Sequence, residues 1–130
     1  MSWTEEQIDS VWKKGRIIDG VDGDTYRVDP CGAWMMKAKH GKTTSLGWQI
    51  DHVFPESKAM ARGYSKAEVD HIENLRPMQW KNNETKNDDY PDYKRAVTRE
   101  GNKNVSNSSN KTVHEATMKK LNQRFKIKRK

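Results

Sequence analysis

The chain has 130 residues, of which 33% are charged and 32% hydrophobic, and its formal net charge is +7 at pH 7. That length suits one compact domain with room for an extra arm, and so small a hydrophobic share allows only a modest core. No apolar run approaches membrane-span length, the start MSWTEEQ lacks a secretory layout, and a lone cysteine, Cys31, excludes an internal disulfide or a multi-cysteine zinc knuckle.

The expectation is a soluble cytoplasmic protein in which Cys31 is a packing residue. In chain order, Thr4 with Gln7 makes a capping box for a helix that carries Ile8, Val11 and Trp12 on one face and stops at Gly15. RIIDG and TYRVD then bracket the turn VDGD, which predicts a hairpin, and residues 31–39 read as a further short strand closed by His40-Gly41. GWQIDHVF predicts a strand with Trp48, Ile50 and His52 on one face and Gln49, Asp51 and Val53 on the other. Residues 55–73 are mostly polar, with Ser65 and Glu68 placed to cap one helical turn. Residues 74–79 are short enough to be the returning strand, and 80–88 read as a helix with Pro91 at its end.

Composition changes after Tyr93. The stretch GNKNVSNSSNK over 101–111 is rich in Asn and Ser and predicts a linker. Thr112 with Glu115 offers another capping box, and Val113, Ala116, Met118, Leu121 and Phe125 give a loose helical stripe. The expected organisation is a domain over 1–94 with its core motif at 48–88, a linker over 95–111 and a basic helical arm over 112–130. Seven basic residues (Lys119, Lys120, Arg124, Lys126, Lys128, Arg129, Lys130) and no acid fall in the last twelve positions, leaving 18 basic and 18 acidic residues in 1–118. Such a basic end is a handle for a polyanion, above all nucleic acid, or else a solubilising tail. Removing 119–130 is expected to weaken DNA binding and flatten its salt dependence while leaving the fold intact.

The chemistry concentrates between Trp48 and Lys86. Asp51 and His52 are adjacent, and Asn74 and Asn83 follow 22 and 31 residues after His52. Phosphodiester hydrolysis needs a nucleophilic water, a cation to stabilise charge, and positioning. Histidine takes a proton near neutral pH, so His52 is the candidate base, and Asp51 is an oxygen ligand suited to Mg²⁺. Asn83 supplies a neutral amide oxygen, with Asn82 able to exchange roles with it. Adjacent strand residues face opposite sides, so Asp51 and His52 serve one phosphate only if the strand twists or bulges and the 80–88 helix closes over it. The second Asp-His pair, Asp70-His71, reads as a solvated loop pair, Trp48 and Trp80 as core, and His40 and His114 as structural.

These residues resemble the HNH endonuclease family. GWQIDH, P-x-SK, NLRPMQW and NNETKND stand in the family's order over 48–88, and VWKKGRIIDG…YRVDPCGAW is similar to the leader of related nucleases. Roughly two thirds of the chain is covered. The resemblance implies an α+β fold: a small ββα-metal core with an N-terminal helix and β-hairpin and a basic C-terminal arm. It implies Asp51 as a metal ligand, His52 as general base, and Asn74 as the residue that holds the loop between the strands and so orients His52. Asn83 takes the final metal-ligand position, an H-N-N variant, and Lys58 and Lys86 sit where basic residues meet phosphates. The implied activity is a one-metal DNA endonuclease using Mg²⁺ (or Mn²⁺), with contacts mainly to the DNA backbone and a dimer as one route to cutting both strands. The alternative is a non-cleaving nucleic-acid-binding module or a nuclease subunit of a larger assembly. Two departures stand out. The family's C-x-x-C positions hold Cys31 and Trp34, then Gln79 and Asn82, so no structural zinc is expected and Trp34, Trp48 and Trp80 are expected to brace the fold. The usual Ser-Lys-Gly-Gly loop reads Ser57-Lys58-Ala59-Met60, with the first glycine at Gly63.

Overall fold

A computed structural model describes residues 3–126. Over the described residues the chain is a small α+β protein with three two-stranded antiparallel sheets and five α-helices. Helix α1 (Glu5–Trp12) forms where the capping box predicts: Gln7 N donates to Thr4 Oγ1 at 3.0 Å and Thr4 N donates to Gln7 Oε1 at 2.9 Å. Its Val11 and Trp12 are buried.

The first hairpin differs from expectation. Strand β1 (Tyr26–Val28) pairs with β2 (Trp34–Met36), and the RIIDG segment contributes only an isolated bridge, Arg16 to Val28. The reason lies in Arg27 and Asp29. Arg27 folds inward, donating to the carbonyls of Gly23 (2.9 Å), Lys13 (2.9 Å) and Gly15 (3.1 Å), which pins both ends of the RIIDG segment as a loop and leaves Ile17 exposed. The Asp29 carboxylate meanwhile gathers the amides of Cys31 (2.9 Å) and Ala33 (2.8 Å), so residues 29–33 form the turn and the strand expected over 31–39 shortens to β2 plus a 3₁₀ turn at Lys37–Lys39.

Strands β3 (Trp48–His52) and β4 (Leu75–Gln79) pair without a break from Trp48↔Gln79 to His52↔Leu75. Between them lie α2 (Glu56–Ala61), α3 (Lys66–Val69) and a 3₁₀ turn at Ile72–Asn74. Helix α3 opens on the Ser65–Glu68 capping box read from the sequence. Helix α4 (Trp80–Lys86) starts directly after β4, with Gln79 Oε1 accepting from Lys81 N and Asn82 N, and it stops at Asn87, whose φ of +52° turns the chain out of the helix.

Residues 95–111 are not a linker. They belong to a long hairpin of β5 (Asp92–Glu100) and β6 (Lys103–Thr112), turned by Gly101-Asn102 with Gly101 at φ +64°. Tyr93 and Val97 point into the protein, and a bulge interrupts the pairing between Arg95 and Val97. The predicted Thr112–Glu115 capping box also gives way. Thr112 ends β6, where its Oγ1 donates to Asp92 Oδ1 at 2.7 Å, and His114 caps α5 (Glu115–Arg124) by accepting from Ala116 N at 3.3 Å. Helix α5 is no detached arm: Leu121 and the following Phe125 are fully buried.

Two apolar clusters among the described residues meet at the β3–β4 pair. One joins Val11, Trp12, Met35, Trp48, Ile50 and Leu75; the other joins Val53, Phe54 and Met78 to Cys31, Tyr93, Val113, Leu121 and Phe125. Cys31 packs as expected, and burial pushes its thiol up to about 12. Of the three tryptophans expected to brace the fold only Trp48 is fully buried; Trp34 and Trp80 are half-buried. No helix among the described residues is long and apolar enough to cross a membrane.

Candidate functional site

Asp51, His52 and Asn83 line one pocket of about 360 Å³, together with Glu56, Glu84 and Asp88. The strand needs no bulge to achieve this, because His52 is the last residue of β3 and the chain leaves the sheet beside α4. Three of the expected site residues are thereby brought together by β3 and α4.

Asn74 closes the loop that follows β3. It is fully buried; its Oδ1 accepts from Phe54 N at 2.7 Å, and its Nδ2 donates to Phe54 O and Val69 O, both at 3.0 Å. Val53 N donates to Asn74 O at 2.8 Å, so one asparagine ties both ends of the 53–69 excursion to the start of β4. An apolar residue here would leave three buried backbone groups without partners.

His52 is half-buried, and its Nε2 lies 2.8 Å from Asp70 Oδ1. The Asp70-His71 pair therefore needs correcting: Asp70 is 16% exposed in its side chain and serves the site, while exposed His71 caps the 3₁₀ turn. A carboxylate accepts from a ring N–H, so this contact favours the tautomer with hydrogen on Nε2, and in the neutral ring of that tautomer Nδ1 keeps the lone pair. Trp3 packs on the imidazole with ring centroids 5.6 Å apart. Lys66 reaches Asp70 at 3.0 Å and pairs closely with Glu56. His52, Glu56 and Asp70 offer ligand atoms that all lie within 4.8 Å of one another, a set that could hold a metal ion. Neither acid stands in an apolar strand pattern, which is why Glu56 drew no notice in the sequence and Asp70 read as solvated.

Asp51 is 3% exposed and has a cation on each oxygen. Arg76 Nε donates to Oδ2 at 2.9 Å from the paired position on β4, and Lys86 Nζ lies 3.3 Å from Oδ1. Lys86 corrects a second expectation. It is fully buried, donates to His52 O at 3.1 Å, and is held by the site from within, where no phosphate reaches it. Burial pulls its ammonium below the ordinary lysine range, and Asp51 opposes that shift. Asn83 donates from Nδ2 to Gln49 Oε1 at 2.8 Å, which leaves its amide oxygen available to a cation. Asn82 takes no part in the pocket. It is buried against the β5 bulge, accepting from Ala96 N (2.8 Å) and Val97 N (2.9 Å) and donating to Val97 O and Asp29 Oδ2.

The remaining basic residues are dispersed. Lys58 on α2 and Lys119 and Lys120 on α5 are exposed, as is Lys126 beyond α5. Arg124 is paired with Glu73, which holds the Glu73 carboxyl below its usual range and ties α5 to the 3₁₀ turn. Lys128, Arg129 and Lys130 lie outside the described residues. No family model, curated protein or solved structure matches the chain.

Proposed function

We propose that this protein is a metal-dependent DNA endonuclease of the HNH type, built on a ββα-metal core of β3, β4 and α4. The observation that carries the reading is the single pocket lined by Asp51, His52 and Asn83, the three side chains the resemblance assigns to catalysis. The donor set suits a hard cation: carboxylate and amide oxygens around an imidazole, in an acid-lined pocket. Asp51 and Asn83 would hold Mg²⁺ or Mn²⁺. When bound, that cation supplies a Lewis acid for the charge that develops on the phosphate and the 3′ oxygen.

The chain's own groups do the rest. His52 Nδ1 accepts the proton of the attacking water, and Asp70 keeps the ring in the tautomer that leaves Nδ1 bare. Asn74 holds the loop that carries Asp70 against His52. Arg76 and Lys86 fix the Asp51 carboxylate in place. The test is plasmid cleavage with Mg²⁺, Mn²⁺ or EDTA. Metal-dependent nicking or linearisation, lost in His52→Ala, is the expected result. No cleavage under any metal, with DNA binding retained, would refute the nuclease.

One observation favours the alternative of a non-cleaving nucleic-acid-binding module or an assembly subunit. Both Asp51 oxygens are already met by protein cations, so an incoming metal ion competes with Arg76 and Lys86. The same plasmid assay separates the two readings.

A further inference from the structure

A second cleft, of about 500 Å³, lies between the 29–33 turn, β4 and the β5–β6 hairpin. Six cationic side chains line it: Lys14, Arg16, Arg76, Arg95, Arg99 and Lys111. Its one carboxylate, Asp29, is 3% exposed and already accepts four hydrogen bonds. Residues 1–118 carry equal numbers of acids and bases, so this concentration reflects how the fold sorts them. Apart from Arg76, none of the six pairs with a carboxylate among the described residues.

The arginines are oriented by the protein. Arg95 is held by Asn107 (2.9 Å to Oδ1, 3.1 Å to O), and Arg99 lies over Trp34 at 5.9 Å. Arg99 N donates to Gly32 O at 2.8 Å, docking β5 on the turn that floors the cleft. Arg76 gives the second, independent pointer. Its Nε holds Asp51, yet its Nη2 is buried without a hydrogen-bond partner among the described residues. That open donor sits in the wall of a cationic cleft, where an anion's oxygen reaches it once a neighbouring side chain gives way. Asp51 lines the first pocket and Arg76 the second, so their ion pair is the wall the two share.

We propose that this cleft binds the phosphodiester backbone of a nucleic-acid strand. Guanidinium forks match phosphate oxygens, and several such groups in one groove follow a chain of phosphates better than a single anion. That the strand is DNA rests on the nuclease reading; the site itself rests on the cleft's charge and on Arg76.

The experiment measures binding of a short fluorescein-labelled DNA duplex by anisotropy across a salt series, in EDTA so that no cleavage intervenes. Two paired variants are compared with the wild type: Arg95→Gln with Arg99→Gln, and Arg16→Gln with Lys111→Gln, the latter free of the hairpin's side-chain hydrogen bonds. Thermal melts identify which pairs fold. We expect each folded pair to bind about tenfold more weakly and to flatten the salt slope by about two, as loss of two phosphate contacts requires. Unchanged affinity and slope in the folded pairs would overturn the proposal. Displacement of the duplex by low-millimolar inorganic phosphate at fixed ionic strength would also overturn it, reducing the cleft to a small-anion site. The outcomes for the two readings separate: weakened binding with no plasmid cleavage by the wild type removes the nuclease and keeps the cleft, whereas cleavage with unweakened binding removes only the cleft.

Discussion

Asp51 and His52 are neighbours in sequence with opposite electrostatic surroundings. His52 faces a carboxylate at Asp70, whereas Asp51 faces the cations of Arg76 and Lys86. The buried ammonium of Lys86 occupies part of the field that a divalent ion at Asp51 would fill. Lys86→Met keeps an unbranched apolar stem in the core and deletes that charge. Under the nuclease reading, Mn²⁺ affinity measured by calorimetry should rise by about tenfold, a small part of the Coulomb energy of two charges at this separation. An unchanged affinity in a folded variant would move the metal away from Asp51, toward His52, Glu56 and Asp70. At this scale the sequence was readable where a residue's role is local. The loop-holding role of Asn74 came from the HNH resemblance and matches its bonds to Phe54 and Val69, but Asp70 and Arg76 act through partners 18 and 25 residues away, which no spacing rule supplied.

The elements are held together by one carboxylate. Asp29 Oδ1 accepts from Cys31 N and Ala33 N, and Oδ2 accepts from Gln79 N at 3.0 Å and Asn82 Nδ2 at 3.1 Å. The β1–β2 turn is thus bonded to the β4–α4 junction, and Asn82 carries the link on to the β5 bulge. These are the two places where the HNH resemblance puts its C-x-x-C pairs, and here hydrogen bonds join them, beside the packing of Trp48. Burial pushes the Asp29 carboxyl above its ordinary range, and its four donors act against that shift. Asp29→Ala strands those donors in the interior, so we expect a loss of about 3–5 kcal/mol, measured as a lower urea midpoint at unchanged slope. A midpoint that stays put would show that packing alone joins the elements. Helix starts and the β3–β4 pair were legible because caps and apolar alternation are local signals. The β5–β6 hairpin was not, since most of its Asn and Ser side chains are exposed and hid the strand pattern. The Gly101-Asn102 turn between Val97-Thr98 and Val105 was the signal available.

Over the whole molecule, the basic end and the fold are not separable. Leu121 and Phe125 complete the cluster that includes Val53 and Phe54, so deleting 119–130 removes core as well as charge. Buried Leu and Phe truncations typically cost about 2–5 kcal/mol each, and the expectation that the truncated protein keeps its fold is therefore withdrawn. Charge is also organised more broadly than the sequence count suggested, since the cleft beside Arg76 gathers cations from α1's end, β4 and the hairpin. The shared strand pair has a consequence of its own. Because β4 contributes Leu75 to one apolar cluster and Met78 to the other, and β3 supplies Trp48 and Ile50 to the first and runs directly into Val53 and Phe54 of the second, neither strand can open without disrupting both. Their amides should exchange with deuterium only through global unfolding, while amides near the exposed Gly101 turn exchange by local fraying. Exchange of β3 and β4 as fast as the turn would contradict this. A strand pair with no private melting mode gives Asp51 and His52 an all-or-none existence: destabilising changes elsewhere should lower the fraction of molecules with an intact site and leave its geometry unchanged in those that remain folded.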